Sequence, residues 1–193
     1  MIKNVLIYCG SSKGHSPIYE QEARALAQAL VAKDIRLIFG AGSVGLMGVL
    51  ADEFLRLGGY CIGVIPDFME PWEVKHLGIQ ECHVTASMHE RKQLMAEMAD
   101  AVLCLPGGFG SMDELFEILT WKQLDLHQMP VGILNTNGYY QALLQQMQHM
   151  IQEGFLKERN LTALHVESEV EPLMRWLMDY EPEKTEKKWI YRA

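Results

Sequence analysis

Two side chains of opposite charge, Arg91 and Glu114, have the types and surroundings that chemistry on an anionic ligand requires. Glu114 follows the glycine-rich segment Pro-Gly-Gly-Phe-Gly at residues 106–110, and glycines let backbone amides approach a phosphate closely. A carboxylate beside a bound phosphate meets like charge unless a cation intervenes. Arg91, whose guanidinium suits a phosphate or the carboxylate itself, is the predicted cation, and both side chains are expected at solvent-facing strand ends.

The charged neighbours of this pair have simpler explanations. Asp113 and Glu117 fall in the first turns of a predicted helix, where acidic residues complement the helix dipole. Ser87 and Glu90 have the spacing of a capping box, which marks the start of the preceding helix. Lys92 is open to two interpretations: a second cation at the site, or an exposed helix charge.

Three glycine-rich turns follow predicted strands, at residues 9–14, 40–48 and 106–110. In an open parallel sheet, ligands lie beyond the carboxyl ends of the strands. The helix after each turn presents unpaired amides and a positive dipole end. Together the three turns predict a site for a nucleotide-sized anion, although the backbone of a strand-to-helix turn is a sufficient reason for any one of them.

The second turn also offers an alternative interpretation. Gly-Ala-Gly-Ser-Val-Gly at residues 40–45 matches the dinucleotide-binding pattern G-x-G-x-x-G, and Asp67 lies at about the distance of a ribose-binding acid. The match falls on the second strand-helix unit rather than the first, and Asp67 follows Pro66 at a bend. These two features count against a nicotinamide cofactor.

The elements that must position these residues follow an alternating pattern. Short apolar runs alternate with stretches of helical period, which is typical of βα units around a parallel sheet. Strands are predicted at residues 5–9, 36–39, 60–65, 81–84, 101–105, 131–134 and 163–166, and helices at 17–33, 44–57, 87–98, 111–124 and 139–153. The strands read as apolar throughout, as strands covered on both faces do. We predict a Rossmann-like α/β fold with a doubly wound parallel sheet, in a single domain over residues 1–180 with a charged tail at 181–193.

Composition narrows the class of partner. The 193-residue chain has a formal net charge of −8, which argues against nucleic acid and anionic membranes because both require a basic surface. The four cysteines lie in or beside apolar runs without zinc or redox spacing, so buried thiols are expected. The seven histidines include no H-E-x-x-H pattern, and no metal site is predicted. No signal peptide or long apolar run is apparent, so a cytoplasmic location is expected.

Two segments together resemble a known family. Met-His-Glu-Arg-Lys at residues 88–92 and Pro-Gly-Gly-Phe-Gly-Ser-Met-Asp-Glu at residues 106–114 are similar to the paired motifs of the Lonely guy family. Its members are cytokinin riboside 5′-monophosphate phosphoribohydrolases, long labelled possible lysine decarboxylases. The resemblance extends roughly over residues 5–140. Ser111 stands where the family usually has threonine, a change that leaves a hydroxyl and a backbone amide in place.

The resemblance implies roles for particular residues. Arg91 and Glu114 would be catalytic, and Met88 and Lys92 would line the nucleotide pocket. The other implied binding residues lie on the three glycine-rich turns, the third of which would hold the 5′-phosphate. They are Gly10, Ser11, Gly42, Gly45, Gly107, Gly108, Gly110 and Ser111.

The resemblance also implies a reaction. It is hydrolysis of the N-glycosidic bond of a purine riboside 5′-monophosphate, either AMP or an N6-modified cytokinin precursor, without metal or cofactor and usually by a homodimer. Such a reaction passes through an oxocarbenium-like ribosyl cation. Glu114 would orient a ribose hydroxyl or the attacking water and act as base, while Arg91 would neutralise the phosphate. Candidate walls that would select the base are Phe68, Trp72, Met88 and Trp121.

Two other classes stay open. A decarboxylase using pyridoxal phosphate needs a Schiff-base lysine, and Lys13, Lys92 and Lys122 are present but stand in no recognisable cofactor motif. A nonenzymatic nucleotide-binding or carrier protein of the same fold would bind nucleotide without turnover. The pairing of Arg91 with Glu114 counts against a carrier, because phosphate binding alone gains nothing from a nearby carboxylate.

Overall fold

The structure, a computed structural model, describes residues 2–69 and 75–182. Its strands are β1 (Asn4–Tyr8), β2 (Arg36–Phe39), β3 (Cys61–Pro66), β4 (Glu81–Thr85), β5 (Ala101–Cys104), β6 (Val131–Leu134) and β7 (Leu164–Glu167). Its helices are α1 (Ile18–Val31), α2 (Gly45–Arg56), α3 (Met88–Met98), α4 (Phe109–Gln123), α5 (Gln141–Gln152), α6 (Glu158–Leu161) and α7 (Val170–Asp179). Short 3₁₀ turns cover Asp67–Met69 and Thr136–Gly138.

The strands form one parallel sheet in the order β4-β3-β2-β1-β5-β6-β7. From β1 the chain moves outward to β4, then returns to place β5 on the other side of β1 and continues to β7. The strand order therefore reverses between β1 and β5, and ligands bind at such a point in open α/β sheets. The predicted doubly wound α/β fold is confirmed.

The helices cover both faces of the sheet because side chains of each strand alternate between two hydrophobic clusters. Val5 and Ile7 of β1 belong to the cluster that contains the apolar faces of α1, α2 and α7. Leu6 and Tyr8 belong to the other cluster, with Met95 of α3 and apolar residues of α4 and α5. Arg91 and Glu114 thus lie on helices of the face toward which Tyr8 points.

The central strands are buried along almost their whole length, as their continuously apolar sequences predict. The expectation of burial on both faces is wrong for the edge strands β4 and β7, whose residues are mostly half-buried. Glu81 and His83 of β4, and His165 and Glu167 of β7, form ion pairs along their own strands. Polar pairs of this kind suit a strand with one open edge.

Each predicted strand is present with ends shifted by at most one residue, and the five predicted helices are present within two residues at each end. The helices α6 and α7 were not predicted. The signal for α7 was in the sequence, because Leu173, Met174 and Leu177 have helical spacing and are buried.

The cysteine prediction holds for three of the four thiols. Cys9, Cys61 and Cys104 are buried, whereas Cys82 of the edge strand β4 is partly exposed, and all four are free thiols. Burial raises the pKa of Cys61 and of Cys104 to about 12. Among the helices of the described residues, none has the length and apolar character needed to cross a membrane.

Candidate active site

A cavity of about 240 Å³ opens at the reversal point between β1 and β5. Residues 7–11 form its floor, and residues 108–111 with Asp113 and Glu114 form one wall. Gly40, Met47, Met69, Met88 and Arg91 complete the lining. Of the predicted site residues, the cavity brings together Arg91, Glu114, Met88, Gly10, Ser11, Gly108, Gly110 and Ser111.

The three glycine-rich turns meet at Gly10. The Gly10 N–H donates to the carbonyl of Pro106 at 3.0 Å, and the Gly10 carbonyl accepts from the N–H of Leu46 at 3.0 Å. Gly45 has a φ of +64°, and a Cβ there would overlap the backbone of Ser11. The first turn is therefore held between the other two by backbone contacts that require glycine.

Arg91 occupies the first turn of α3. Ser87 caps this helix by accepting from the N–H of Glu90 at 3.2 Å, as predicted, and Glu90 accepts in return from the N–H of Ala86 at 2.9 Å. The Arg91 side chain is buried, with 6% of the residue exposed. The expected solvent-facing position is wrong, because the guanidinium lies against Gly40, Met88 and Glu114.

The guanidinium of Arg91 has more hydrogen-bond donors than nearby acceptors. Its Nη2 lies 3.7 Å from Oε1 of Glu114, and its Nη1 lies 3.7 Å from Sδ of Met88. Within the part of the chain that the structure describes, its buried Nε has no hydrogen-bond partner. A buried charged donor without an acceptor is costly, so this side chain has donor capacity that an anion could satisfy.

Gly40 provides the space that Arg91 occupies, which the sequence did not reveal. A Cβ at this position would overlap Nη2 of Arg91 and would lie 3.2 Å from Sδ of Met47. Gly40 directly follows β2, and the sequence predicts its turn only as a possible anion-binding or dinucleotide-binding turn. Because Gly40 has no side chain, it leaves room for the guanidinium of Arg91.

Glu114 lies one turn into α4 and is also buried, with 9% of the residue exposed. Beside it, the phenol of Tyr8 is 4% exposed at the end of β1. Burial raises the pKa of Tyr8 well above its usual value of 10, and the negative charge of Glu114 raises it further. Tyr8 is thus a neutral hydroxyl in the cavity floor, although its sequence position indicated only a core strand.

The third turn leads into the start of helix α4. Helix α4 begins at Phe109 rather than at residue 111, and the Gly108 carbonyl accepts the first helical bond from Met112 at 3.1 Å. The amides at the start of a helix have no intrahelical acceptor and lie at the positive end of its dipole. A Cβ at Gly108 or Gly110 would meet nothing within 4 Å, so the approach to these amides is open. The buried Ser111 side chain lies over Gly107, where a Cβ would overlap its hydroxyl.

Lys92 lies outside the cavity lining. Its Nζ is 3.1 Å from Asp113 and 3.0 Å from Glu117, so the ammonium joins α3 to the first turns of α4. Burial lowers the pKa of Lys92, but the hydrogen bonds and charges of Glu117 and Asp113 outweigh it and raise the pKa overall. These two acids, first explained by the helix dipole, therefore have a specific cationic partner.

Three predicted binding glycines also lie behind the lining rather than in it. Gly45 and Gly107 shape the turns through the close approaches already described. Gly42 is buried and pairs with Lys75 in an isolated antiparallel bridge. Their contribution within the described residues is to the backbone path of the turns.

The remaining sequence-based candidates are placed as follows. Asp67 accepts from the N–H of Phe68 at 2.6 Å, so the carboxylate closes its own turn. Phe68 is half-exposed away from the cavity lining, Trp121 packs against the core, and Trp72 lies outside the described residues. Of the four candidate wall residues, Met88 does line the cavity, and the other apolar lining residues at this wall are Met47 and Met69, with Phe109 at the rim.

The lysines considered for a Schiff base are also accounted for. Lys13 pairs with Glu20 at 3.0 Å, Lys92 with the two acids of α4, and Lys122 donates to the carbonyl of Met129 at 2.6 Å. None of the three is among the residues that line the described cavity. No group of three metal-ligating side chains is found within residues 2–69 and 75–182.

Comparison with known proteins finds sequence relatives that cover most of this chain. A family model described as "Possible lysine decarboxylase" matches residues 47–177. A cytokinin riboside 5′-monophosphate phosphoribohydrolase of Arabidopsis thaliana is 41% identical over 181 residues, covering 94% of this chain and 83% of the relative. The chain belongs to the Lonely guy family. An enzyme of the same description from Rhodococcoides fascians is 42% identical over 170 residues, covering 88% of this chain and 86% of its own.

The fold of this Lonely guy family member extends to more distant proteins. The molybdenum cofactor carrier protein of Chlamydomonas reinhardtii superposes with a TM-score of 0.68 over 92% of this chain and 97% of its own. The sequence identity of 18% means that this likeness shows a shared fold alone. It therefore does not favour a carrier function for this chain.

Proposed function

We propose that this protein hydrolyses the N-glycosidic bond of purine riboside 5′-monophosphates, releasing the free base and ribose 5-phosphate. The observation that carries the proposal is the buried Arg91, which lies beside Glu114 with an unpartnered Nε. A site that only held phosphate would gain nothing from a buried carboxylate next to its cation. The named activity of relatives about 40% identical over most of the chain supports the same reaction.

The 5′-phosphate would bind at the start of α4. The open amides of residues 108–111 and the dipole of the helix provide hydrogen bonds and positive potential, and Ser111 provides a hydroxyl. Arg91 would neutralise the phosphate through the donors that the protein itself leaves unsatisfied. Binding of the phosphate would thus also relieve the cost of the unpaired guanidinium.

Glu114 would act on the ribose. Departure of the base leaves an oxocarbenium-like cation at C1′, which a nearby carboxylate stabilises. We assign Glu114 the role of orienting a ribose hydroxyl or the attacking water and accepting its proton. Arg91, 3.7 Å from Oε1, would hold this carboxylate in place, and the neutral Tyr8 would keep the cavity floor free of a second negative charge.

The base would lie against the methionine wall. Met47, Met69 and Met88 are flexible and polarisable, so they can adapt to a purine with or without an N6 substituent. AMP and N6-modified cytokinin precursors are both proposed substrates. The proposal includes a homodimer because the family resemblance implies one, and Phe109, 95% exposed at the mouth of the cavity, is a residue that a second copy would cover.

The test is a comparison of paired substitutions assayed for release of adenine and ribose 5-phosphate from AMP. Arg91→Ala and Glu114→Ala are each expected to lower kcat/KM by about 10²-fold or more, the usual contribution of a positioned acid or base. Arg175→Ala and Glu171→Ala remove a matched but exposed ion pair on α7, at 2.9 Å, and should retain parent activity. If Arg91→Ala or Glu114→Ala retained parent activity in a folded protein, the assigned roles would be wrong.

A further inference from the structure

Tyr139 reaches the phosphate loop from a neighbouring strand. It directly follows the 3₁₀ turn Thr136–Gly138 at the end of β6, and its hydroxyl donates to the carbonyl of Gly107 at 2.6 Å. The two residues are 32 positions apart, and the bond exists because β6 lies beside β5. Tyr139 is therefore a side chain outside the cavity lining that bonds directly to the backbone of the loop.

The position of this hydroxyl is fixed from several sides. The Tyr139 ring packs edge-on against Tyr19, with centroids 5.9 Å apart, and against Tyr140, at 4.9 Å. The turn before it is held by the buried Asn135, whose Oδ1 accepts from the N–H of Tyr140 at 2.7 Å. Tyr139 is 45% exposed, and these two aromatic contacts hold its ring in place.

The bonded carbonyl belongs to the peptide unit between Gly107 and Gly108. Because a trans peptide is planar, its C=O and N–H point in opposite directions, and fixing the carbonyl also fixes the N–H of Gly108. Glycine on both sides would otherwise allow this peptide unit to rotate easily. Rotation would turn the carbonyl oxygen, a partial negative charge, towards the bound anion.

The hydroxyl also affects the strength of the neighbouring donor. A hydrogen bond to a peptide carbonyl polarises the amide, which makes its N–H a better donor in a connected chain of bonds. Gly108 lines the cavity, and its N–H precedes the amides of the first turn of α4. The Tyr139 bond therefore both aims and strengthens one of the proposed phosphate donors.

We propose that Tyr139 is a positioning residue for phosphate binding, acting through the peptide unit between Gly107 and Gly108. This inference rests on the proposed function only in that the loop at residues 107–111 holds the 5′-phosphate. Tyr139 is not among the residues that line the cavity, so we expect it to contact neither the ribose nor the reacting atoms. Its loss should weaken phosphate binding while leaving the chemical step unchanged.

The experiment is Tyr139→Phe in the full chain, which removes one hydroxyl and keeps the ring contacts. The dissociation constant of inorganic phosphate, measured by NMR titration, is expected to rise about fivefold, the effect of losing one hydrogen bond of about 1 kcal/mol. The KM for AMP should rise by a similar factor, with kcat within about twofold of the parent. Tyr60→Phe is the matched control, because it removes a hydroxyl that bonds to Glu81 at 3.2 Å on the distant edge strand β4.

The outcomes separate this inference from the proposed function. If phosphate affinity is unchanged in Tyr139→Phe, or if kcat falls while KM stays constant, the positioning role is wrong. The positioning role would also be wrong if the parent protein did not bind phosphate. If the parent binds phosphate but does not hydrolyse AMP, and Tyr139→Phe still weakens phosphate binding, the inference stands and the proposed function fails.

Discussion

Two buried carboxylates in this protein, Glu53 and Glu114, have very different surroundings. Glu53 lies on α2 with 3% of the residue exposed, and Glu114 lies on α4 with 9% exposed. Both are partnered by arginine, so burial and charge alone do not distinguish them. The difference lies in how well each pair satisfies its own hydrogen-bonding groups.

The carboxylate of Glu53 accepts hydrogen bonds from side chains of α1 and α2. Arg56 donates to its two oxygens at 2.6 and 3.0 Å, Gln28 donates at 2.7 Å, and Arg24 lies at 3.4 Å. The hydrogen bonds from Arg56 and Gln28 lower the pKa of Glu53 to about 2 despite its burial. This cluster joins α1 to α2 and leaves no strong need for a ligand.

The Arg91–Glu114 pair is looser. Its shortest contact, 3.7 Å between Nη2 and Oε1, exceeds the length of a hydrogen bond, and among the described residues the buried Nε of Arg91 is unpartnered. An unsatisfied buried donor costs on the order of 1–3 kcal/mol. The ion pair of Glu53 is thus closed within the protein, whereas Arg91 retains donor capacity that, in our proposal, a ligand completes.

Among substitutions that keep both charged side chains, the largest expected effect comes from displacing the guanidinium of Arg91. In Gly40→Ala the new Cβ would overlap Nη2 of Arg91, and the flexible side chain should move rather than the backbone. A displaced catalytic contact should lower kcat/KM for AMP by on the order of 10- to 100-fold, measured by adenine release.

Gly58→Ala is the control for this substitution. A Cβ at Gly58 would meet nothing within 4 Å, but its φ of +78° makes alanine strained, so this variant should lose thermal stability and retain activity. Parent activity in Gly40→Ala would show that the space beside Arg91 is not required.

The two carboxylates should respond oppositely to neutralisation. Glu53→Gln loses charge-assisted hydrogen bonds from arginines whose charges water partly screens. We expect the free energy of unfolding to fall by about 2 kcal/mol, which corresponds to a melting temperature lower by about 4–8 °C. Activity should stay at the parent level. Glu114→Gln should lose activity and show little change in melting temperature. Calorimetry and an AMP assay on both variants would contradict the comparison if Glu114→Gln were the less stable protein.

The smallest effect is a pH dependence specific to Glu53. Its pKa is lowered from an ordinary value of 4.5 to about 2 in the folded protein, so its contribution to stability is fully present above about pH 4.5 and is lost as the pH falls towards 2. The difference in melting temperature between the parent and Glu53→Gln should be constant above about pH 5 and decrease below it. A difference that stays constant down to about pH 2.5 would contradict this assignment.

Much of this architecture was predictable from local signals. The alternation of apolar runs and helical periods indicated the parallel sheet, and the motifs around Arg91 and Glu114 indicated which residues meet at its edge. The capping pattern of Ser87 and Glu90 located the start of α3, and the structure confirms it. These predictions succeeded because each depends on neighbouring residues or on a general property of parallel sheets.

The contacts that refine the site could not be predicted in this way. The bond of Tyr139 to Gly107 depends on the adjacency of β5 and β6, and the space at Gly40 depends on the path of Arg91 from another helix. Charged residues are usually exposed, so the burial of Arg91 and Glu114 was also missed. The family resemblance implies a place for Lys92 in the nucleotide pocket, and nothing in its local sequence indicates its two acidic partners on α4.

The junction at Gly10 has a consequence for changing the substrate range of this protein. Its two hydrogen bonds use only main-chain atoms, so substitutions of nearby side chains cannot delete them directly. Variation at Ser11, Met47, Met69 or Phe109 can therefore alter the shape of the wall while the three turns keep their alignment. A library of variants should hold Gly10 and Gly45 constant and place its diversity at those four positions.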